Sequence, residues 1–292
     1  MLRKAARTPS RHGPYLMPIA LPRLTLAALA LALGLGVAAA QVDDILFERD
    51  TTYVPTPPDV VERMLDMAAV KAGEYLIDLG SGDGRIAIAA AKRGARSFGV
   101  DLKPELVKQA NAIAAKAGLA DRARFEVRDL FKTDISKADV LTIYLLPLVN
   151  LDLRPRILDE MRPGARIVAH AFHMGDWAPD ATDNIRSRVL FYWTVPARVN
   201  GRWRVESEDG NFTLDIKQAF QKFDSTAQVD RRLIATLIEA HTTTTKDGRL
   251  DGTDIRFAID LGEGPRVFRG RVDGDTIQGI TPQGWKAART AK

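Results

Sequence analysis

The chain has 292 residues, 46% of them hydrophobic and 27% charged, which suits one large domain or two modest ones with a sizeable core. Its formal charge of +5 comes from the first forty residues, where Arg3, Lys4, Arg7, Arg11 and Arg23 stand without an acid; the remaining 37 basic residues match 37 acidic ones, so the composition lacks the basic footprint of a nucleic-acid binder. Cysteine is absent, which excludes disulfides and thiolate metal sites, and no metal centre is expected.

Residues 1–40 read as a targeting segment. A basic stretch precedes an uncharged apolar run over residues 24–40, and Ala38-Ala39-Ala40 before Gln41 offers small residues where a signal peptidase reads. Met17 is an alternative start that keeps Arg23 and the whole run. The other reading is an uncleaved membrane anchor, although the run is short and weakly apolar for a span. Both readings predict a domain outside the cytoplasm, either exported to the periplasm or medium, or anchored to the membrane.

Residues 41–58 are polar and proline-containing and predict an extended lead-in. Pro57-Pro58 opens a helix in which Val60, Val61, Met64, Leu65 and Ala68 fall at helical spacing, and Gly73 ends it. Strands then alternate with helices. The strands are predicted over 74–79, 96–102, 123–127, 139–145 and 165–172, and the helices over 84–93, 104–117 and 151–161. This order predicts a mainly parallel sheet with helices on both faces, and the near-continuous apolar strands agree with it. The pattern changes between Val195 and Asn200. Beyond it, short β-type runs are separated by Asn200-Gly201, Asp209-Gly210, Asp247-Gly248, Asp251-Gly252 and Asp273-Gly274, with alternation over 211–217 and 266–272. Such punctuation predicts hairpins of a small antiparallel sheet, sandwich or barrel. The expected organisation is a leader over 1–40, an α/β domain over 41–197 and an antiparallel all-β domain over 198–292.

The chemistry concentrates in Asp78-Leu79-Gly80-Ser81-Gly82-Asp83-Gly84, between a strand and a helix. Glycine allows a tight turn and lets a ligand approach the main chain without meeting a Cβ atom, and the following helix offers unpaired N–H groups. A dinucleotide site wants Gly-x-Gly-x-x-Gly, and here Arg85 stands at the sixth position, which counts against NAD or FAD. A P-loop is excluded because no Gly-Lys-Ser/Thr follows. Asp78 would repel a pyrophosphate but attract the ammonium of a methionine moiety. Asp101, at the end of the second strand, can accept from both ribose hydroxyls. Asp129, after the third strand, can accept from an adenine amino group or cap a helix. Gly80, Gly82, Gly84, Asp78, Asp101 and Asp129, with Leu102 and Leu130 beside the second and third acids, are thus the candidate cofactor residues.

These residues resemble class I S-adenosylmethionine-dependent methyltransferases, a Rossmann-like fold. Tyr53-Val54-Pro55-Thr56-Pro57, the loop from Asp78 to Arg85 and Tyr144-Leu145-Leu146-Pro147 are together similar to archaeal protein-lysine methyltransferases and to the mitochondrial enzymes that methylate the membrane-rotor (c-type) polypeptide of ATP synthase. The resemblance covers roughly residues 50–196. It implies S-adenosyl-L-methionine as cofactor, a lysine of a protein substrate as acceptor, Thr56 and the Tyr53 segment over the methionine end, and Tyr144 at the mouth of the acceptor channel. It departs at His170-Ala171-Phe172, where the lineage usually reads His-Asp-Phe, which puts the placement of the substrate amine in question.

Methyl transfer from a sulfonium is an in-line displacement that needs an aligned, neutral nucleophile. A lysine, with an unperturbed pKa of about 10.4, must first lose a proton, and an apolar aromatic channel disfavours its ammonium. Tyr144, Tyr53 and Phe172 are candidates for that wall, and His170 and His173 for proton acceptance; Trp177 reads as a packing residue. Two alternatives stay open: a small-molecule acceptor, and an exported cofactor-binding or interaction protein without catalysis.

Overall fold

The computed structural model describes residues 53–291, apart from 209, 235–236, 263 and 283. The leader expected over residues 1–40 and most of the lead-in lie outside the described residues. Val54–Lys292 forms one compact unit. Among the described residues no helix is long and apolar enough to cross a membrane.

Helix α1 (Pro58–Met67) begins with proline at its first position, where a missing N–H costs nothing, and buries Val60, Val61, Met64 and Leu65. It ends before Gly73, because Ala69 turns left-handed (φ 46°) and the Val70 N–H reaches back to the Leu65 carbonyl at 3.1 Å. Next come β1 (Tyr75–Leu79), α2 (Arg85–Lys92), β2 (Arg96–Asp101), α3 (Pro104–Lys116), β3 (Ala123–Val127), a 3-10 turn (Leu130–Lys132), β4 (Val140–Ile143), α4 (Pro147–Glu160) and β5 (Arg166–His170). Helix α4 starts four residues earlier than the sequence predicts. Pro147 occupies its first turn, and the helix runs on through Pro155 at the loss of one backbone hydrogen bond.

Two strands go beyond the predicted set. β6 (Ala181–Ile185) and β7 (Arg188–Thr194) form an antiparallel hairpin, and β7 adds antiparallel to β5. The sheet order is β3-β2-β1-β4-β5-β7-β6, parallel over the first five members. The order reverses between β1 and β4, the switch point where open α/β sheets bind ligands beyond the strands' carboxyl ends. Successive strand residues enter different apolar clusters. Leu76, Val140 and Val168 join residues of α1, α2 and α3, whereas Ile77, Leu141 and Ile167 join Val149, Leu153 and Ile157 of α4.

After this Rossmann-like sheet the C-terminal part is wholly antiparallel. Its strands are β8 (Gly201–Glu206), β9 (Phe212–Ala219), β10 (Lys222–Ile234), β11 (Leu237–Thr244), β12 (Lys246–Asp251), β13 (Asp254–Asp260), β14 (Pro265–Asp273), β15 (Thr276–Thr281) and β16 (Lys286–Ala291). The order β11-β10-β12-β13-β14-β15-β16-β8-β9 closes through a β9–β10 pairing, giving a barrel with β11 outside the ring. Inward residues fill it: Phe257 stacks on Phe268 at 5.2 Å, and Trp285 meets both edge-on. Asp251-Gly252 and Asp273-Gly274 do connect hairpins. Asp247-Gly248 does not; it lies within β12 at a register shift, a bulge that lets Gly248 pass close to the Phe223 carbonyl. The barrel is seated on the α/β part through the Ala197 N–H to the Gly252 carbonyl at 2.7 Å and the Arg249–Asp180 pair at 3.7 Å.

Candidate active site

The glycine loop leaves the carboxyl end of β1 at the switch point. Gly80, Gly82 and Gly84 all have positive φ (76°, 53° and 79°), a conformation costly for other residues. The Gly80 and Ser81 N–H groups both donate to the Val100 carbonyl at 2.9 Å, which pins the loop to the end of β2. At Gly84 a Cβ would come within 2.6 Å of Phe125 Cζ and 2.9 Å of Ala110 Cβ, so this glycine also permits close packing of α2 on its neighbours.

Asp78 is almost fully buried (2% exposed). Its Oδ1 accepts from the Thr142 hydroxyl at 2.8 Å across the β1–β4 pairing, while its Oδ2 is buried without a partner, as is Ser81 Oγ. Burial pushes the Asp78 carboxyl up to about 7, the Thr142 hydrogen bond opposes the rise, and Asp101 and Asp83 add to it. A buried carboxylate with an unused oxygen is costly and is relieved by a cationic donor. Asp101 is half-buried at the end of β2; its Oδ2 accepts from the Gly82 N–H at 2.9 Å and its Oδ1 from the Lys103 N–H at 3.0 Å. Asp129 caps the 3-10 turn, its Oδ1 accepting from the Phe131 N–H at 2.8 Å, so the capping alternative describes this carboxylate's local role. Leu102 is 65% exposed beside Asp101, and Leu130 is half-buried.

A second cluster stands at the ends of β4 and β5. The Tyr144 ring lies 3.9 Å from the His170 ring, and His170 Nδ1 is 3.1 Å from the Thr56 hydroxyl. His170 and Thr56 are buried. Desolvation, helped by the charge of Arg188, holds the His170 imidazole down to about 4, so it is neutral at physiological pH and a weak base. His173 is exposed, its Nδ1 accepting from the Gly175 N–H at 2.9 Å. Phe172 is half-buried, Trp177 is fully buried, and Tyr53 is half-buried.

Sequence reasoning missed three participants. Arg85 joins the two clusters, with its Nη1 donating to the Thr56 carbonyl at 2.8 Å and its Nε and Nη2 donating to the Asp83 carboxylate. Thr142 shares the Asp78 carboxylate, and a lone polar residue within the apolar strand Val140-Leu141-Thr142-Ile143 was the available signal. Asn150, fully buried in the first turn of α4, donates from Nδ2 to the Phe172 carbonyl at 3.1 Å and leaves Oδ1 buried without a partner. A cleft of about 500 Å³ opens where the barrel meets α4, lined by Asp159, Asp176, Arg198 and Phe220 among others. It contains none of the loop residues and stands apart from this chemistry.

Residues 78–181 match the family described as ANTKMT methyltransferase domain. A protein-lysine N-methyltransferase of Saccharolobus islandicus (strain REY15A) is 43% identical over 129 residues, which are 44% of this chain and 80% of that protein. The chain belongs to this methyltransferase family. It is a class I S-adenosylmethionine-dependent methyltransferase, and S-adenosyl-L-methionine is its cofactor. The adenine nucleotide translocase lysine N-methyltransferase of Mus musculus is 34% identical over 130 residues, 44% of this chain and 56% of that protein, so the chain spans about half the length of this relative. A crystal structure of an RNA methyltransferase from Salinibacter ruber in complex with S-adenosyl-L-homocysteine is 49% identical and covers 50% of this chain and 96% of that one, with a TM-score of 0.49. The family match ends at residue 181, before the barrel. The unused oxygen of Asp78, the positive-φ glycine loop and the acid at the end of β2 fit an ammonium, a methionine chain and a ribose.

Proposed function

We propose that this chain is a protein-lysine N-methyltransferase whose acceptor amine enters beside Tyr144, His170 and Phe172. The observation that carries the reading is the contact of Tyr144 with a neutral, buried His170 at the carboxyl ends of β4 and β5, tied through Thr56 and Arg85 to the glycine loop. The relatives named as lysine methyltransferases support the acceptor class.

The bound cofactor supplies an electrophilic methyl group. In this reading Asp78 takes its ammonium, Gly80, Gly82 and Gly84 let the backbone approach it, and Thr56 covers its methionine end. Asp101 accepts from the ribose hydroxyls, Asp129 faces the adenine amino group, and Leu102 and Leu130 flank the base. Tyr144 and Phe172 exclude water from the acceptor and favour its neutral amine over its ammonium, while the strand ends hold it in line with the methyl group. His170, already neutral and weakly basic, serves the wall and the placement of Thr56, and the lysine gives up its proton to solvent before it is enclosed.

The test offers methyl-labelled cofactor to the purified chain with a lysine-rich protein, an RNA and small amines in parallel. Label on protein lysine supports the reading, and label confined to RNA or small molecules rejects it. Cofactor binding without transfer to any acceptor leaves a non-catalytic module.

The change of sheet near residue 197 supports a domain boundary between 197 and 198, and the alternation of Leu76 and Ile77 between the two apolar clusters supports helices on both faces of the parallel sheet. Export or membrane attachment through residues 1–40 is likewise a proposal. A mature N-terminus at Gln41 supports cleavage, an intact leader in the membrane fraction supports an anchor, and a full-length cytosolic chain rejects both.

A further inference from the structure

The barrel lies beyond the matched family segment, and one left-handed, bulky residue in it, Phe220, faces the α/β part. Strands β9 and β10 are joined by a two-residue turn, with Ala219 paired to Lys222. The first turn residue, Phe220, has φ 56°, a left-handed conformation in which a bulky side chain is an outlier. Such strain persists where surrounding structure over-determines it. On the barrel side, Gln218 Nε2 donates to the Phe220 carbonyl at 2.8 Å and the Leu250 N–H to the Gln221 carbonyl at 2.7 Å. On the other side, the Phe220 ring stacks on Trp177 at 5.9 Å and 12°, and Gln221 Oε1 accepts from Trp177 Nε1 at 2.8 Å.

Trp177 belongs to the segment that follows β5. That segment begins at Ala171, itself left-handed (φ 68°), where the Phe172 N–H bonds the His170 carbonyl at 2.9 Å in a three-residue turn. Helix α4 holds the segment from below the acceptor motif. Asn150 takes the Phe172 carbonyl, and Arg154 takes the Met174 carbonyl at 2.9 Å, pairs with Asp176 and sits 5.4 Å over the Phe220 ring. The barrel turn, the post-β5 segment and α4 therefore form one packed junction that ends at His170 and Tyr144.

We propose that the barrel is a fixed brace of the acceptor side: its Phe220-Gln221 turn, acting through Trp177, holds residues 171–177 and so positions the amine acceptor without touching the cofactor. Phe220, Gln221 and Trp177 are positioning residues on this view. The acceptor part rests on the lysine-methyltransferase reading, whereas the bracing does not.

The test uses the full chain with S-adenosylhomocysteine bound and the variants Phe220→Gly and Phe220→Tyr. Glycine suits the turn's backbone better than phenylalanine does, so loss of folding is not the expected result; tyrosine keeps the ring. Phe220→Gly is expected to speed amide hydrogen exchange over 171–177 about tenfold while residues 80–84 stay unchanged. The cofactor Kd is expected to stay within about twofold and the acceptor KM, on a lysine-rich protein, to rise about fivefold or more. Phe220→Tyr is expected to restore both readouts. Unchanged exchange over 171–177 overturns the brace, as does equal acceleration at the glycine loop. Faster exchange with an unchanged KM overturns its control of the acceptor. A wild-type chain that labels no lysine defeats the lysine reading alone, because the exchange experiment still decides the brace.

Discussion

In the α/β part Asp78 Oδ2 at the end of β1, Ser81 Oγ in the glycine loop and Asn150 Oδ1 in α4 are buried with no partner. In the barrel the Ser225 hydroxyl meets Thr245 at 3.0 Å, Trp203 Nε1 finds the Val199 carbonyl at 2.7 Å and Trp285 Nε1 the Arg269 carbonyl at 2.9 Å. Buried polar groups are normally satisfied; among the described residues the barrel follows the ordinary rule, and the α/β part departs from it around its switch point and at the start of α4. The difference sets a scaffold whose described buried polar groups pair within the chain against a switch point that leaves polar atoms unpaired.

The largest expected effect tests the barrel's side of this contrast. Trp285→Ala removes the ring that meets Phe257 and Phe268 and should cost about 3–5 kcal/mol of stability, read as a lower thermal midpoint. Cofactor affinity measured well below that midpoint should hold, and a parallel fall in affinity would break the separation. Next in size, Asp78→Ala should weaken cofactor binding about 10- to 100-fold, as expected for a lost hydrogen bond to a charged group. Calorimetry with S-adenosylhomocysteine reads it, and unchanged affinity would remove the carboxylate from the site. Gly84→Ala places a Cβ against Phe125 and Ala110 at φ 79° and should destabilise the sheet by about 1–3 kcal/mol, measurable by denaturant titration.

The pH dependence gives a smaller and graded effect. Asp78 has a folded value of about 7 against 3.8 for an ordinary aspartate. Its contribution to the stability of the cofactor-free protein is therefore fully present below about pH 4 and is lost as the pH rises to about 7. Binding an ammonium requires the ionised form, so cofactor affinity should fall by up to about tenfold between about pH 7 and pH 6 and level off at the loss seen with Asp78→Ala. It should fall again above about pH 8, where an α-amino group loses its own proton. An affinity flat between pH 5 and 7 would place the ammonium elsewhere.

The parts legible in the sequence were those with strong local causes. The glycine loop could be read because three positive-φ positions admit little but glycine, and α3 because Pro104 and Gly118 mark its ends. The β6–β7 hairpin was hidden because its turn is Arg186-Ser187, both left-handed (φ 48° and 65°), where Asn-Gly is the usual signal. Asp247-Gly248 misled for the opposite reason, being turn chemistry used inside a strand. The true β9–β10 turn carries phenylalanine and glutamine, a choice explained by contacts with Trp177 more than forty positions away. At the site, Asp78 and Asp101 were readable from their strand ends. Arg85 and Asn150 were not, because each also bonds a carbonyl distant in sequence, and Thr142 signalled only as a lone polar residue in an apolar strand.

The bond from Arg85 to the Thr56 carbonyl has a kinetic consequence. Its guanidinium is about one-third exposed and is also bound by Asp83, so the peptide at Thr56 is fastened over the loop by a charge that dissolved salt can reach. If departure of the spent cofactor requires that peptide to lift, turnover should quicken with ionic strength before binding weakens. An arginine fastened between Asp83 and the Thr56 carbonyl would then set the tempo of the cycle.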